Sequence, residues 1–103
     1  MEHDPKLLRL SPHDNVLVAR VGIRAGEILQ LNEQAVKTSV AIPLGFKVAA
    51  RALTPGEKIL KYGASIGSAT QAIEAGEIVH LHNMQSDYLP TYEREKERFV
   101  DEH

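Results

Sequence analysis

One short pattern occurs three times in the chain, as "VGIRAGEIL" (21–29), "RALTPGEKIL" (51–60) and "QAIEAGEIVH" (71–80). Each copy has an aliphatic residue, a variable position, Ala or Pro, the pair Gly-Glu, and then a β-prone run. Pro55 supplies a fixed φ, and Gly26, Gly56 and Gly76 can take the positive φ of a tight turn, so each copy reads as anchor, turn, strand. The copies are unequally spaced. That excludes a solenoid and predicts one structural device reused within a compact fold.

Between the turns, apolar residues come in runs of strand length: "KLLRL" (6–10), "NVLVARV" (15–21), "EILQL" (27–31), "AVKTSVAI" (35–42), "FKVAARAL" (46–53), "KILKY" (58–62) and "EIVHLHN" (77–83). Val, Ile and Leu dominate them, and turn residues bound most of them. The expectation is an all-β domain over residues 1–90. "SATQAI" (68–73) suits a single helical turn capped by Ser68. After Pro90 the sequence "TYEREKERFVDEH" (91–103) reads as a charged tail or a short linker helix, with Thr91 as N-cap and Glu93 in its first turn.

Composition sets the limits. A chain of 103 residues without Trp, with two Phe and three Tyr, must build one modest core on aliphatic side chains. The formal charge is −2, and five acids of the tail (Glu93, Glu95, Glu97, Asp101, Glu102) face only three bases there, so the remaining body is balanced. With no basic stripe and no aromatic residues interleaved with Lys or Arg, nucleic acid is not an expected partner. Cysteine is absent, which removes disulfides, thiolate nucleophiles and Cys-ligated zinc. No apolar stretch approaches membrane-spanning length, and the first residues carry acids where a signal peptide needs bases. The expected location is cytoplasmic.

The chemically suggestive stretch is "EIVHLHNMQ" (77–85). On a strand, residues i and i+2 share a face about 6.5–7 Å apart, which would put Ile78, His80 and His82 together and send Val79, Leu81 and Asn83 to the other side. Two neutral imidazoles so placed can converge on a cation or a substrate. On spacing alone the plainer reading, polar residues on the wet side of a strand, carries more weight, since no third ligand is evident nearby. In "SPHDNVLVAR" (11–20), His13, Asp14 and Asn15 precede a strand, where Asx turns explain Asp14 and Asn15 without function. Gly63 and Gly67 in "ILKYGASIGSAT" (59–70) read as turn glycines, because no Lys follows as in a phosphate-cradling loop. Lys47, Lys61 and Tyr62 are candidate substrate contacts, and no nucleophile-elbow pattern surrounds any Ser.

Taken in order, "HDNVLVA", "IPLGFKVA", "GEKILKYGASIGSAT" and "AGEIVHLHN" resemble the SAF domain of altronate and galactarate dehydratases, found at their N-terminus or as the separate small subunit of relatives that include sulfolactate sulfo-lyase. The likeness runs from about residue 6 to Met84. It implies a β-clip fold, the convoluted β architecture also seen in type III antifreeze proteins, and a much larger dehydratase-like catalytic subunit or domain as partner.

It further implies a lyase acting on sugar acids or related hydroxy acids, with a divalent metal, iron or another, shared with the large subunit. Carried over by position, His80 and His82 become catalytic and metal-ligating candidates, and His13, Asp14, Asn15, Lys47, Tyr62 and Asn83 substrate-binding candidates. Two positions depart from the family: Phe46 stands where histidine is usual, and Ser65 where proline is usual. A non-catalytic SAF-type module binding a sugar acid or a protein surface is the alternative, and a homo-oligomer stays open.

Overall fold

The computed structural model describes residues 4–32 and 34–87; the charged tail or helix expected for 91–103 lies outside the described residues. Within them the chain is all strand: β1 (Leu7–Leu8), β2 (Val16–Ala19), β3 (Ile28–Leu31), β4 (Gln34–Lys37), β5 (Lys47–Ala49), β6 (Lys58–Lys61), β7 (Ala64–Ala69), β8 (Ile78–Val79) and β9 (Met84–Gln85). They form a four-stranded sheet of order β1-β2-β5-β8, a β3-β4 pair and a three-stranded sheet of order β6-β7-β9. Every pairing is antiparallel.

The helical turn expected from Ser68 does not form: Ser68 and Ala69 end β7, paired with Gln85 and Met84. Gly67 is a packing requirement of that strand. A Cβ there would meet the carbonyl oxygen of Gln85 at 2.2 Å, so β9 can cross only over a glycine.

The reused turn occurs four times. Residues 24–27, 43–46, 54–57 and 74–77 each close with a bond from the fourth N–H to the first C=O, at 3.2, 3.1, 3.0 and 3.0 Å. Their third positions, Gly26, Gly45, Gly56 and Gly76, have φ of 90°, 89°, 86° and 85°, the left-handed conformation that a type II turn needs at that place. The anchors pair across the molecule, Ile23 with Ile42 and Leu53 with Ile73.

In three copies the glutamate after glycine accepts the first residue's N–H: Glu27 from Arg24 at 2.8 Å, Glu57 from Thr54 at 3.0 Å, Glu77 from Glu74 at 2.9 Å. The copy at 43–46 begins with Pro43, which has no N–H to satisfy. Its fourth residue is therefore free of that duty, and it is Phe46.

These repeats are halves of an internal duplication. Ile23 and Gly26 recur 30 residues later as Leu53 and Gly56, whereas Ile42 and Gly45 recur 31 later as Ile73 and Gly76. The extra residue is absorbed by the register shift between Ile59 and Leu60 in the β6-β7 pair, where Ile59 faces Gly67 and Leu60 faces Ser65. Buried side chains mark equivalent places. Asp4 exchanges bonds with the backbone of Gln30 at 2.7 and 3.3 Å, and Asn15 does the same with Leu60 at 3.3 and 2.8 Å.

The central sheet separates two apolar clusters. Leu17, Val48 and Ala19 join Leu7, Leu29, Leu31 and Ile42 on one face. Val16, Ala49 and Val79 join Leu53, Ile59, Ile73 and Met84 on the other. Strand alternation dictates this split: cross-strand partners Leu17 and Val48 share the first face, and Val16 and Ala49 the second.

Candidate functional site

β8 ends at Val79, so the two histidines do not lie on a strand as expected. His80 leads into a turn over 81–83, in which the N–H groups of Asn83 and Met84 both donate to the carbonyl of His80 at 3.0 Å. The cause is Asn83, whose side chain is 0% exposed. Its Oδ1 accepts the N–H of His80 and its Nδ2 donates to the carbonyl of Ile78, each at 2.9 Å. One side chain thus replaces the strand partner that this stretch would otherwise need. Leu81, expected on the face shared with Val79, is 78% exposed, whereas Val79 is buried.

The turn still delivers both imidazoles to one place. His80 and His82 line a groove of about 510 Å³ whose other walls include Val36 of β4, Val40 after it, Phe46, and the turn at 74–77. Phe46 stacks on His80 with ring centroids 5.4 Å apart and planes inclined by 28°. Gly76 belongs to the wall for two reasons, its positive φ and the closeness of Val36, whose Cγ1 would lie 2.9 Å from an added Cβ. Lys37, Glu74 and Glu77 add charge to the lining. Of the lining, Val40 and Phe46 are exposed, and so are Leu44, two residues before Phe46, and Leu81, between the two histidines in sequence; the segments that line the groove thus supply an exposed apolar collar.

The remaining candidates lie elsewhere. Lys47 is in register with Val18 and Val79, and Val79 belongs to the second cluster, so its side chain leaves the central sheet on the face opposite Ile78 and the groove. Burial pushes the Lys47 ammonium pKa below its ordinary value, and the nearby charge of Lys61 adds to this. Tyr62 sits at the tip of the β6-β7 hairpin with φ of 59°, followed by Gly63 at 76°. Two central residues with positive φ make this a type I′ turn. Asp14 explains how a tyrosine tolerates it: its carboxylate accepts the N–H groups of Tyr62 at 2.9 Å and Gly63 at 2.7 Å. Asn15 is spent in the same way, on Leu60 N–H and on the carbonyl of Lys58 at 2.9 Å. Asp14, Asn15 and Asn83 are buried and bonded to backbone: Asn83 holds the His80 turn at the groove, whereas Asp14 and Asn15 hold the β6-β7 hairpin. His13 is exposed beside Ser11.

The groove's Glu74 and Glu77 were not among the candidates singled out from sequence, and Phe46 was noted only as a departure from the family, not as a groove residue. The signal for Phe46 was "IPLG", a fourth copy of the turn disguised by the loss of glutamate.

An all-strand, duplicated antiparallel domain of this size, with type II corners and crossed anchors, is a β-clip domain, the class that the sequence resemblance implied. Residues 5–87 match the altronate/galactarate dehydratase SAF domain, and the chain belongs to that family. It is 34% identical over 80 residues to altronate dehydratase of Bacillus subtilis, covering 78% of this chain and 16% of that protein. It is 37% identical over 71 residues to the (2R)-sulfolactate sulfo-lyase subunit alpha of Chromohalobacter salexigens, covering 63% of this chain and 76% of that subunit. Altronate dehydratase of Escherichia coli is 31% identical over 80 residues, with 78% and 16% covered. The chain thus spans about a sixth of the dehydratases it matches and most of the sulfo-lyase subunit.

Proposed function

We propose that this domain is the small component of a lyase acting on a sugar acid or related hydroxy acid, and that its groove is one wall of an active site completed by a large catalytic chain. The observation that carries the reading is the placement of His80 and His82 together at a groove with an apolar collar, in a chain that matches only 16% of the length of its dehydratase relatives and most of a subunit named alpha. Elimination from a hydroxy acid needs a base for the proton beside the carboxylate and an acid for the departing group. An imidazole side chain can serve in either role.

The collar of Val40, Leu44, Phe46 and Leu81 is the surface on which the large chain docks. Burying it excludes water from the groove.

A divalent metal, iron or another, fits this chain only in part. His80 and His82 supply two nitrogen donors, and among the described residues no group of three or more His, Asp or Glu is gathered to hold an ion. Further ligands come in this reading from the large chain. A cation held there would supply Lewis-acid stabilisation of negative charge developing beside the substrate carboxylate. His80 is held by Asn83 and stacked on Phe46, so its ring is oriented before substrate arrives.

The test is to purify the domain with a large dehydratase-like chain encoded beside it and to assay elimination from a panel of hydroxy acids. His80→Ala and His82→Ala are each expected to lower kcat at least about a hundredfold without dissolving the complex. Unchanged turnover in both variants would overturn the catalytic reading. The second reading, a SAF-type module that binds without chemistry, is favoured by the loss of an imidazole at Phe46, and that same outcome would select it.

A further inference from the structure

The internal duplication is incomplete at one sheet edge. The β3-β4 and β6-β7 pairs are equivalent rung by rung: Ile28 opposite Lys37 recurs as Lys58 opposite Ser68, Leu29 opposite Val36 as Ile59 opposite Gly67, and Leu31 opposite Gln34 as Lys61 opposite Ala64. The closing bonds recur too. Thr38 donates its N–H to Glu27 at 2.9 Å and accepts from Gly26 at 2.7 Å, and Ala69 does the same with Glu57 at 2.9 Å and Gly56 at 2.8 Å. β7, however, carries a third strand: β9 sets Gln85 opposite Ser68 and Met84 opposite Ala69, and Thr70 N–H donates to the carbonyl of Asn83 at 2.9 Å. Among the described residues β4 has no such neighbour.

Successive residues of an antiparallel strand turn their backbone groups to opposite sides. Thr38 is spent on β3, so Lys37 and Ser39 present theirs to the open edge, as Ser68 and Thr70 present theirs to β9. Among the described residues the Ser39 N–H meets no acceptor, and both Lys37 and Ser39 are exposed. The edge opens onto the histidine groove, which residues 36–40 line along one wall. The filled edge shows what fits there. Met84 is buried in the second cluster, and Asp87 accepts bonds from Ser68 Oγ and Lys58 Nζ at 2.8 Å each. At the open edge the place of Ser68 is taken by Lys37, which joins none of the ion pairs among the described residues. An occupant therefore needs an apolar residue opposite Thr38 and a carboxylate within reach of Lys37. It must part from β4 at Val36, because a Cβ at the equivalent Gly67 would meet the Gln85 carbonyl oxygen at 2.2 Å.

We propose that the outer edge of β4, from Lys37 to Val40, takes an extended strand of the large catalytic chain, a short segment that sets an apolar side chain in the groove opposite Thr38 and a carboxylate on Lys37. The inference rests on the two-chain reading above and adds to it the place and manner of docking. Backbone bonds to Lys37 and Ser39 give the strand its register, and the groove and the Lys37 ammonium select its side chains. A second copy of this chain fits less well. Joining two β4 edges over Lys37 to Ser39 would set two Lys37 side chains opposite or diagonal to one another, where like charges destabilise a ladder.

The test uses the full chain and the large dehydratase-like chain encoded beside it. Amide exchange at Lys37 and Ser39 should slow about tenfold or more when the complex forms, while Ser68 and Thr70, already covered by β9, change little. Lys37→Pro and Ser39→Pro each delete an N–H that only the incoming strand uses, and proline is accepted on an open edge. The free domain should therefore keep its Tm while binding weakens about tenfold or more. Lys37→Glu keeps the N–H and should weaken binding in a way that high salt relieves; Lys37→Arg should bind within a few-fold. Full-strength binding of both proline variants, unchanged exchange at the edge in a complex that forms, or no complex at all would overturn the proposal. So would a dimer of the free chain, seen in sedimentation, that Lys37→Pro dissolves. The two readings fail separately. A complex docked at β4 whose turnover survives His80→Ala and His82→Ala loses only the catalytic role, and one that needs those histidines but docks elsewhere loses only the β4 strand.

Discussion

His80 lies against Phe46 with ring centroids 5.4 Å apart, although 34 residues separate them in the chain. The contact exists because Phe46 occupies the corner that begins with proline, the one copy in which the fourth residue has no N–H to accept. An aromatic pair of this kind contributes about 0.5–1.5 kcal/mol when buried; Phe46 is 36% exposed, so Phe46→Ala should cost less than about 1 kcal/mol in urea unfolding. Its effect on turnover with the large chain should be larger than its effect on stability, because the collar and the orientation of His80 are lost together. Equal losses in both measurements would make Phe46 merely structural.

Asn83→Ala is expected to do more harm. It strands the N–H of His80 and the carbonyl of Ile78 beneath the surface, and each unsatisfied buried group costs about 1–3 kcal/mol. A loss of roughly 2–4 kcal/mol in chemical denaturation is the expected outcome. Hydrogen exchange should show the 80–84 turn opening first.

Asp14→Ala removes the acceptor of two N–H groups at a hairpin tip where Tyr62 already sits at positive φ. The expected cost is about 2–3 kcal/mol, or a fall in Tm of some 8–24 °C for a domain of this size. Tyr62→Gly relaxes the left-handed strain and should recover part of it. A double variant no more stable than Asp14→Ala would show that the turn is held by something else.

Gly45 and Gly67 separate two reasons for glycine. Gly45→Ala meets no atom within 4 Å and pays only for its φ of 89°, about 1 kcal/mol. Gly67→Ala collides with the Gln85 backbone and should detach β9, seen as lost amide protection at Met84 and Gln85 or as failure to fold.

Two groups set opposite pH limbs. For Asp4, burial pushes the carboxyl upward, but bonds from the Lys6 N–H and ammonium and from the Gln30 N–H outweigh it, and the pKa falls below 3.8. Its contribution is therefore complete above about that value and is lost as pH drops through the lower folded pKa. Asp4→Asn should flatten the acid limb of stability. Lys47 has a folded pKa below 10.5, so the folded state carries a cost that is full at neutral pH and relieved as pH rises toward 10.5. Lys47→Met should stabilise the domain at pH 7 by under about 1 kcal/mol, given its partial exposure. That advantage should vanish near pH 11; a gain independent of pH would mean that packing, and not charge, is responsible.

Much of the architecture could be read locally because its causes are local. A Gly-Glu corner needs only a residue that tolerates positive φ and a carboxylate three positions after an N–H, so three corners stood out and the strands between them followed from their aliphatic runs. The fourth corner was hidden by chemistry equally local, Pro43 making the glutamate unnecessary. The short β9 and the strand character of Ala64–Ala69 were not legible, because Gly67 reads as a turn residue until the backbone of Gln85 is laid across it.

The sequence by itself determined that this chain is an all-β domain of aliphatic cores and glycine corners, and that two histidines stand close together near its end. Tertiary structure decided what those residues face. Asn83, folded inward on its own turn, took His80 and His82 off the strand and set them in a groove walled by Phe46. Strand register carried Lys47 to the other side of the sheet, beside Val79. Period-two alternation fixes which neighbours share a face, but which face meets a groove depends on the partners that pairing brings across from distant segments.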